Sequence, residues 1–310
     1  MMPFADRLVR AIREKGNPVC VGLDPRFELL PARVRQFALR NYGQSSRAVA
    51  NAFVQFNRAL IDALYEVVPA CKPQAAFYEA YGAEGMRAFD DTIRYARRKG
   101  LIVIGDVKRG DIDSTAEAYA LAHLGGIPGI AGSGFDADAV TVNPYLGGDS
   151  LAPFLRLCAE RGKGIFVLVR TSNPGARDLQ DLLVEGRPLY ERVGEMVRRI
   201  GTSVGDAGFS PVGAVIGATY PEEARRLREI LPEAMFLVPG YGAQGAGARD
   251  AIAGFRSDGL GGIVSSSRGI TFAFREQRYA AKHGEEGFAA AARDAAEAMA
   301  AELNAALRQR

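Results

Sequence analysis

The chain has no tryptophan, only two histidines and only three cysteines in 310 residues. His123 and His283 are too few and too far apart for a zinc site or a histidine-based triad. Cys20, Cys71 and Cys158 are widely spaced, giving neither a disulfide framework nor a C-x-x-C metal pair, which fits a reducing cytoplasm. No run approaches the roughly 18 apolar residues of a membrane helix. The opening MMPFADRLVRAIREKG lacks the continuous apolar stretch of a signal peptide and instead places Phe4, Leu8, Val9 and Ile12 on one face of a short helix. An excess of one charge is missing too. The formal net charge is +3 and the basic residues are scattered, which argues against nucleic acid as a partner and leaves a small anionic substrate open.

The composition, 48% hydrophobic and 24% charged, is that of an ordinary globular protein, so a buried core is expected. Eight short apolar runs bounded by turn residues recur along the chain: 18–24, 69–77, 101–108, 139–147, 164–172, 211–219, 235–243 and 262–270. Their β-branched, non-alternating character suits strands covered on both faces of a parallel sheet. Between them lie segments with apolar residues at spacings of three and four, such as 46–67, 84–100 and 188–204. Eight strand–helix repeats predict one (β/α)₈ TIM barrel over 1–310, with a doubly wound open sheet as the alternative. An extra N-terminal helix precedes the repeat. Residues 26–45 and 271–284 read as insertions after the first and eighth strands, hanging over the mouth, and the alanine-rich C-terminal segment closes the wall as a last helix.

In such barrels chemistry sits at the C-terminal strand ends. The third run, LIVIGDVKRGDIDST, ends in Asp106, Lys108 and Asp111, and strand alternation turns Asp106 and Lys108 the same way. A single charge at a strand end is usually just hydrated. Here, however, the first run ends in Asp24, the second carries Lys72 inside an apolar stretch, and the fifth ends in Thr171 and Ser172. If the barrel closes, these ends converge on one pocket, and clustered charges of alternating sign favour a functional site. Lys72 has a bland alternative, a stem lying on apolar surface with its head in water. The loop VPGYGAQGA, from 238, and SSSRG, from 265, follow the last two runs, where glycine-rich turns present backbone N–H groups to phosphate. Arg268 offers a bidentate cation and Gln244 a neutral donor. Those glycines could equally serve only tight turns.

DVKRGDIDST follows the D-x-K-x-x-D-I-x-x-T pattern, and with GLDPR, CKPQ and PGYGAQG in the same order the chain resembles the orotidine 5'-phosphate decarboxylase family from about residue 18 to 270. RTSNPGA and VNPYLGGD resemble its longer bacterial branch. The resemblance implies cofactor-free, metal-free loss of carbon dioxide from orotidine monophosphate, giving uridine monophosphate for pyrimidine synthesis. It implies that Lys108 delivers a proton to C6, that Asp106 sits against the substrate carboxylate, and that Lys72 holds Asp106 and the ribose. Asp24 would bind a ribose hydroxyl and Ser172 the pyrimidine. Pro239, Gln244, Ser267 and Arg268 would line the nucleotide and phosphate site, although SSSRG has serine where shorter relatives tend to have glycine. It further implies a homodimer in which Asp111 and Thr115 reach into the partner's site.

Three rivals are weighed against this. A magnesium-dependent sugar-phosphate decarboxylase or aldol-type synthase of the same barrel superfamily needs carboxylates free for a hard cation. A non-catalytic barrel that binds a phosphoribosyl ligand has no use for the full charge array. A Schiff-base aldolase using Lys108 is disfavoured because flanking carboxylates keep an amine protonated.

Overall fold

The computed structural model describes residues 2–242 and 245–310. Eight parallel strands close into a barrel: β1 Val19–Leu23, β2 Ala70–Pro73, β3 Ile102–Arg109, β4 Ala139–Val142, β5 Gly164–Arg170, β6 Ser210–Ile216, β7 Ala234–Val238 and β8 Gly262–Ser266. β1 pairs with both β2 and β8, which leaves no open edge. Each of the eight predicted runs overlaps one of these strands, five containing theirs whole and three missing one terminal residue (Arg109, Ser210 and Ala234), and the closed barrel excludes the open-sheet alternative. A two-stranded antiparallel hairpin at Leu183–Val184 and Arg187–Pro188, after β5, was not foreseen.

Strand alternation sorts the apolar residues into two cores. Val103, Val140, Val167 and Ala214 face outward and pack under the helices. Cys20, Ala70, Ile104, Ala139, Phe166 and Ile263 face inward and fill the base, where they meet Phe4, Leu8, Val9 and Ile12 of the N-terminal helix Phe4–Lys15. Phe4 stands edge-on to Phe166 with ring centroids 5.8 Å apart, so this helix plugs the closed end of the barrel. Arg7 binds Asp138 at 2.6 Å, and the Asp6 carboxylate accepts from the Asp206 and Ala207 N–H groups, fixing the plug to the wall.

The insertion after β1 forms a 3₁₀ turn at Phe27–Leu29 and the helix Ala32–Tyr42. The insertion after β8 reaches the mouth with Arg275, Glu276 and Arg278, which line a cavity together with Ser266 and Arg268, while its aromatic body is anchored on the wall. Its 3₁₀ turn Ala273–Arg275 and helix Gln277–His283 are docked by apolar side chains. Phe272, Phe274 and Tyr279 are buried, and Phe272 stacks on Phe56 while Phe274 packs against Phe288 of the last helix, Phe288–Arg308. An aromatic segment has more to gain from covering the wall than from standing in water.

Candidate active site

Near the mouth, the inward positions on one side of the barrel change from hydrocarbon to polar groups. Lys72 follows Ala70 on β2, Asp106 follows Ile104 on β3, Thr141 follows Ala139 on β4, and Ser265 follows Ile263 on β8. Lys72 Nζ donates to Asp106 Oδ2 at 2.6 Å and Lys108 Nζ to Asp106 Oδ1 at 2.5 Å, so one carboxylate is held between two ammonium groups. Lys72 and Asp106 are both 6% exposed, which rules out the reading of Lys72 as a lysine with its head in water, whereas Lys108 is open to the cavity. Burial disfavours the Lys72 cation, yet the carboxylates of Asp106 and then Asp24 outweigh it and hold its pKa above the ordinary lysine value. Burial likewise opposes the Asp106 anion, but Lys72 and Lys108 keep it well below the usual carboxylate range. Both groups therefore stay charged at neutral pH.

Lys108 does not reach this position by simple alternation. The pairing register of β3 with β4 shifts between Gly105 and Arg109, and Lys108 takes φ +46°, a left-handed conformation costing about 1 kcal/mol or more for a side chain of this kind. Backbone strain of this sort gathers at working sites. Asp111 lies beyond the strand end and, like exposed Thr115 on the helix Asp113–Leu124, lines neither cavity around Asp106.

Two cavities meet at Lys72 and Asp106. The larger, about 730 Å³, adds Lys108, Thr141 and Asn143 on its polar side, Leu168, Val215 and Leu237 on an apolar side, and Tyr145, Leu179 and Gln180 towards the opening. The smaller, about 260 Å³, is lined by Asp24, Gln74, Ser265, Ser266, Ser267 and Arg268. Ser172 and Pro239 border both. Ser172 comes this close because Gly217 lies beside it: a Cβ there would fall 2.9 Å from the Ser172 backbone N. Ser267 likewise packs on Gly22, where any Cβ would meet its Oγ at 1.9 Å. Asp24 Oδ1 is buried without a hydrogen-bond partner among the described residues, an acceptor awaiting a donor. Gln244 lies outside the described residues.

The profile of the orotidine 5'-phosphate decarboxylase / HUMPS family matches residues 17–283. The chain belongs to this family. It is 47% identical over 296 residues to an orotidine 5'-phosphate decarboxylase of Rhodopirellula baltica, covering 95% of this chain and 97% of that one. It is 42% identical to the Clostridium novyi protein of the same name, covering 93% and 94%. The solved structure of Leishmania donovani OMP decarboxylase superposes with a TM-score of 0.75 at 34% identity, covering 99% of this chain and 100% of that one.

Within this decarboxylase-family barrel, the geometry brings together Asp24, Lys72, Asp106, Lys108, Ser172, Pro239, Ser267 and Arg268. Thr141, Asn143 and Gln180 went unnoticed in the sequence. Thr141, like Lys72, is a polar residue at an inward position of an apolar run, and that was the available signal. The magnesium rival fits the site poorly, since both oxygens of Asp106 are occupied by ammonium groups. Among the described residues, no three His, Cys, Asp or Glu side chains gather in metal-ligating geometry.

Proposed function

We propose that this chain releases carbon dioxide from orotidine 5'-phosphate through Lys72, Asp106 and Lys108, without a cofactor, and that Asp24, Ser172, Pro239, Gln244, Ser267 and Arg268 hold the nucleotide. The activity follows from the family and from relatives of that name at 42 to 47% identity. The residue roles rest on one observation: a buried carboxylate clasped by two ammonium groups, one of them facing a nucleotide-sized cavity.

Loss of carbon dioxide leaves an electron pair on C6 in the plane of the pyrimidine, where the ring's π system cannot spread it. Rate then depends on groups that favour this anion over the starting carboxylate. The Lys108 ammonium does so first as a cation and then as the acid that protonates C6. Asp106, kept ionised by its two lysines, lies where the substrate carboxylate enters. Like charges about 4 Å apart repel by roughly 4 kcal/mol at an effective dielectric of 20, and this repulsion is relieved as neutral carbon dioxide forms. Leu168, Val215 and Leu237 offer the departing molecule an apolar wall. Arg268 and Asp24, in the smaller cavity, grip phosphate and ribose far from the bond that breaks, so binding energy can hold the carboxylate against Asp106.

The site is completed, in this reading, by Asp111 and Thr115 of a second copy. Neither lines the cavities of its own chain, and Ile112, Tyr145 and Leu146 beside the mouth are large apolar side chains left exposed, as an interface core is. A further part of the proposal is that residues 1–310 form one domain, working in the cytoplasm, where the three buried free cysteines stay reduced. No helix of the described residues is long and apolar enough to cross a membrane. Mixing tests the shared site: Lys108→Ala and Asp111→Ala chains, each inactive alone, regain orotidine 5'-phosphate turnover when exchanged into hybrid dimers. If the mixture stays as inactive as its parts while subunits demonstrably exchange, Asp111 does not serve a partner's site.

A further inference from the structure

We propose that the Thr141 hydroxyl is the positioning group that sets Lys108 and Asp106 against the reacting carbon, an inference resting on the reading of the site as a decarboxylase. Thr141 is 1% exposed on β4 and faces the larger cavity. Its Oγ1 accepts from the backbone N–H groups of both Val107 and Lys108 at 3.0 Å and donates to Asp106 Oδ1 at 2.9 Å. A hydroxyl has one proton and two lone pairs, so its capacity is full. The direction of its proton is also forced, because the carboxylate is the only acceptor among the three partners.

This oxygen stands where the β3–β4 ladder breaks. The register shift between Gly105 and Arg109 means that two amide groups in the shifted stretch bond to a side chain of β4. Lys108 is the residue with φ +46°, so the strained turn that aims the ammonium at Asp106 is held by Thr141 through the lysine's own amide. The same oxygen orients the carboxylate that receives Lys108 Nζ. One atom thus couples the backbone position of the proton donor to the orientation of its partner anion. Without the hydroxyl, the buried Val107 amide and the partly buried Lys108 amide lose their acceptor, Asp106 loses a donor, and Lys108 is free to relax towards an ordinary strand conformation. The phosphate and ribose grip lies on other strands, so the loss falls on kcat and not on KM.

The test compares Thr141→Val, Thr141→Ser and Thr141→Ala with the parent. Decarboxylation is read together with exchange of the C6 hydrogen of uridine monophosphate in deuterated water. In the exchange the neutral lysine amine takes the C6 proton, trades it for a solvent deuteron and returns that, so carbon dioxide plays no part. Thr141→Val is expected to lose about 10²-fold in kcat and in exchange rate with KM changed less than about threefold, whereas Thr141→Ser stays within about fivefold of the parent. A folded Thr141→Val with near-parental kcat overturns the proposal, and so does a Thr141→Ser as impaired as the valine variant, because packing would then be the cause. Should the valine variant not fold, alanine decides: parental kcat in Thr141→Ala overturns the proposal, and a loss that serine restores upholds it. A parent that fails to decarboxylate at all sinks the underlying reading instead, which separates the two failures.

Discussion

At the base of the barrel the inward side chains of β2, β3, β4 and β8 are Ala70, Ile104, Ala139 and Ile263; one inward step nearer the mouth they are Lys72, Asp106, Thr141 and Ser265. The base is closed by the N-terminal helix and packed with hydrocarbon, while the mouth holds a charged array around open space. On β5, β6 and β7 the change does not happen, since Leu168, Val215 and Leu237 keep that side of the mouth apolar. The same strands therefore supply packing at one end and, in the proposed function, chemistry at the other, and the two are separated by about one pleat. Substitutions at the two ends should fail in different ways.

The largest effect is expected at the mouth. Lys108→Ala should cut kcat by at least about 10⁴-fold, near 5 kcal/mol of transition-state stabilisation, while uridine monophosphate still binds in a calorimetric titration. Near-normal turnover in that variant removes the proton donor from the mechanism. At the base, Phe166→Ala should cost about 4 kcal/mol in urea unfolding with kcat within a few-fold of the parent. A kcat collapse there, in protein that is still folded, erases the distinction between the two ends.

A smaller effect separates charges that serve the reaction from one that titrates in the wall. His123, buried beside Phe135, is pushed down from 6.5 to about 4 by burial and then by Arg109. The unfolded chain takes up this proton near pH 6.5 and the folded chain only near pH 4, so stability falls as pH drops through that window, by up to about 3 kcal/mol. Asp106 stays ionised across it, its carboxyl being held lower still. His123→Gln should flatten the dependence of the urea midpoint on pH between these limits, whereas an unchanged slope assigns the effect elsewhere. Smallest is Arg268→Ala, with a loss of about 30-fold in kcat/KM for the nucleotide, near 2 kcal/mol, and little for the nucleoside lacking phosphate. Equal losses on both substrates refute the phosphate grip.

Much of this was legible because the relevant signals are loud. A lysine inside CKPQ or an aspartate near the end of LIVIGDV has no place in a buried parallel strand unless something answers its charge, and eight apolar runs separated by helical segments leave few folds to choose from. Thr141 speaks more softly. Threonine is an ordinary strand residue, so a polar side chain at an inward position is a faint signal until the broken ladder beside it is seen. The bulge itself hides in DVKRG, where alternation points Asp106 and Lys108 the same way and conceals the left-handed turn needed to achieve it. The packing of residues 271–284 is hidden in the sequence because Phe272 is buried against Phe56, which lies far earlier in the chain, while only Phe288 is a near neighbour. The roles proposed for Asp111 and Thr115 fall on a second copy of the chain, since neither residue lines the cavities of its own.

The most direct test of the charge array as a self-sufficient catalyst is to strip the purified protein with a chelator, add orotidine 5'-phosphate and follow the ultraviolet change as the carboxylate is lost. Turnover at the untreated rate is the predicted result. Turnover that vanishes on chelation and returns with magnesium contradicts it.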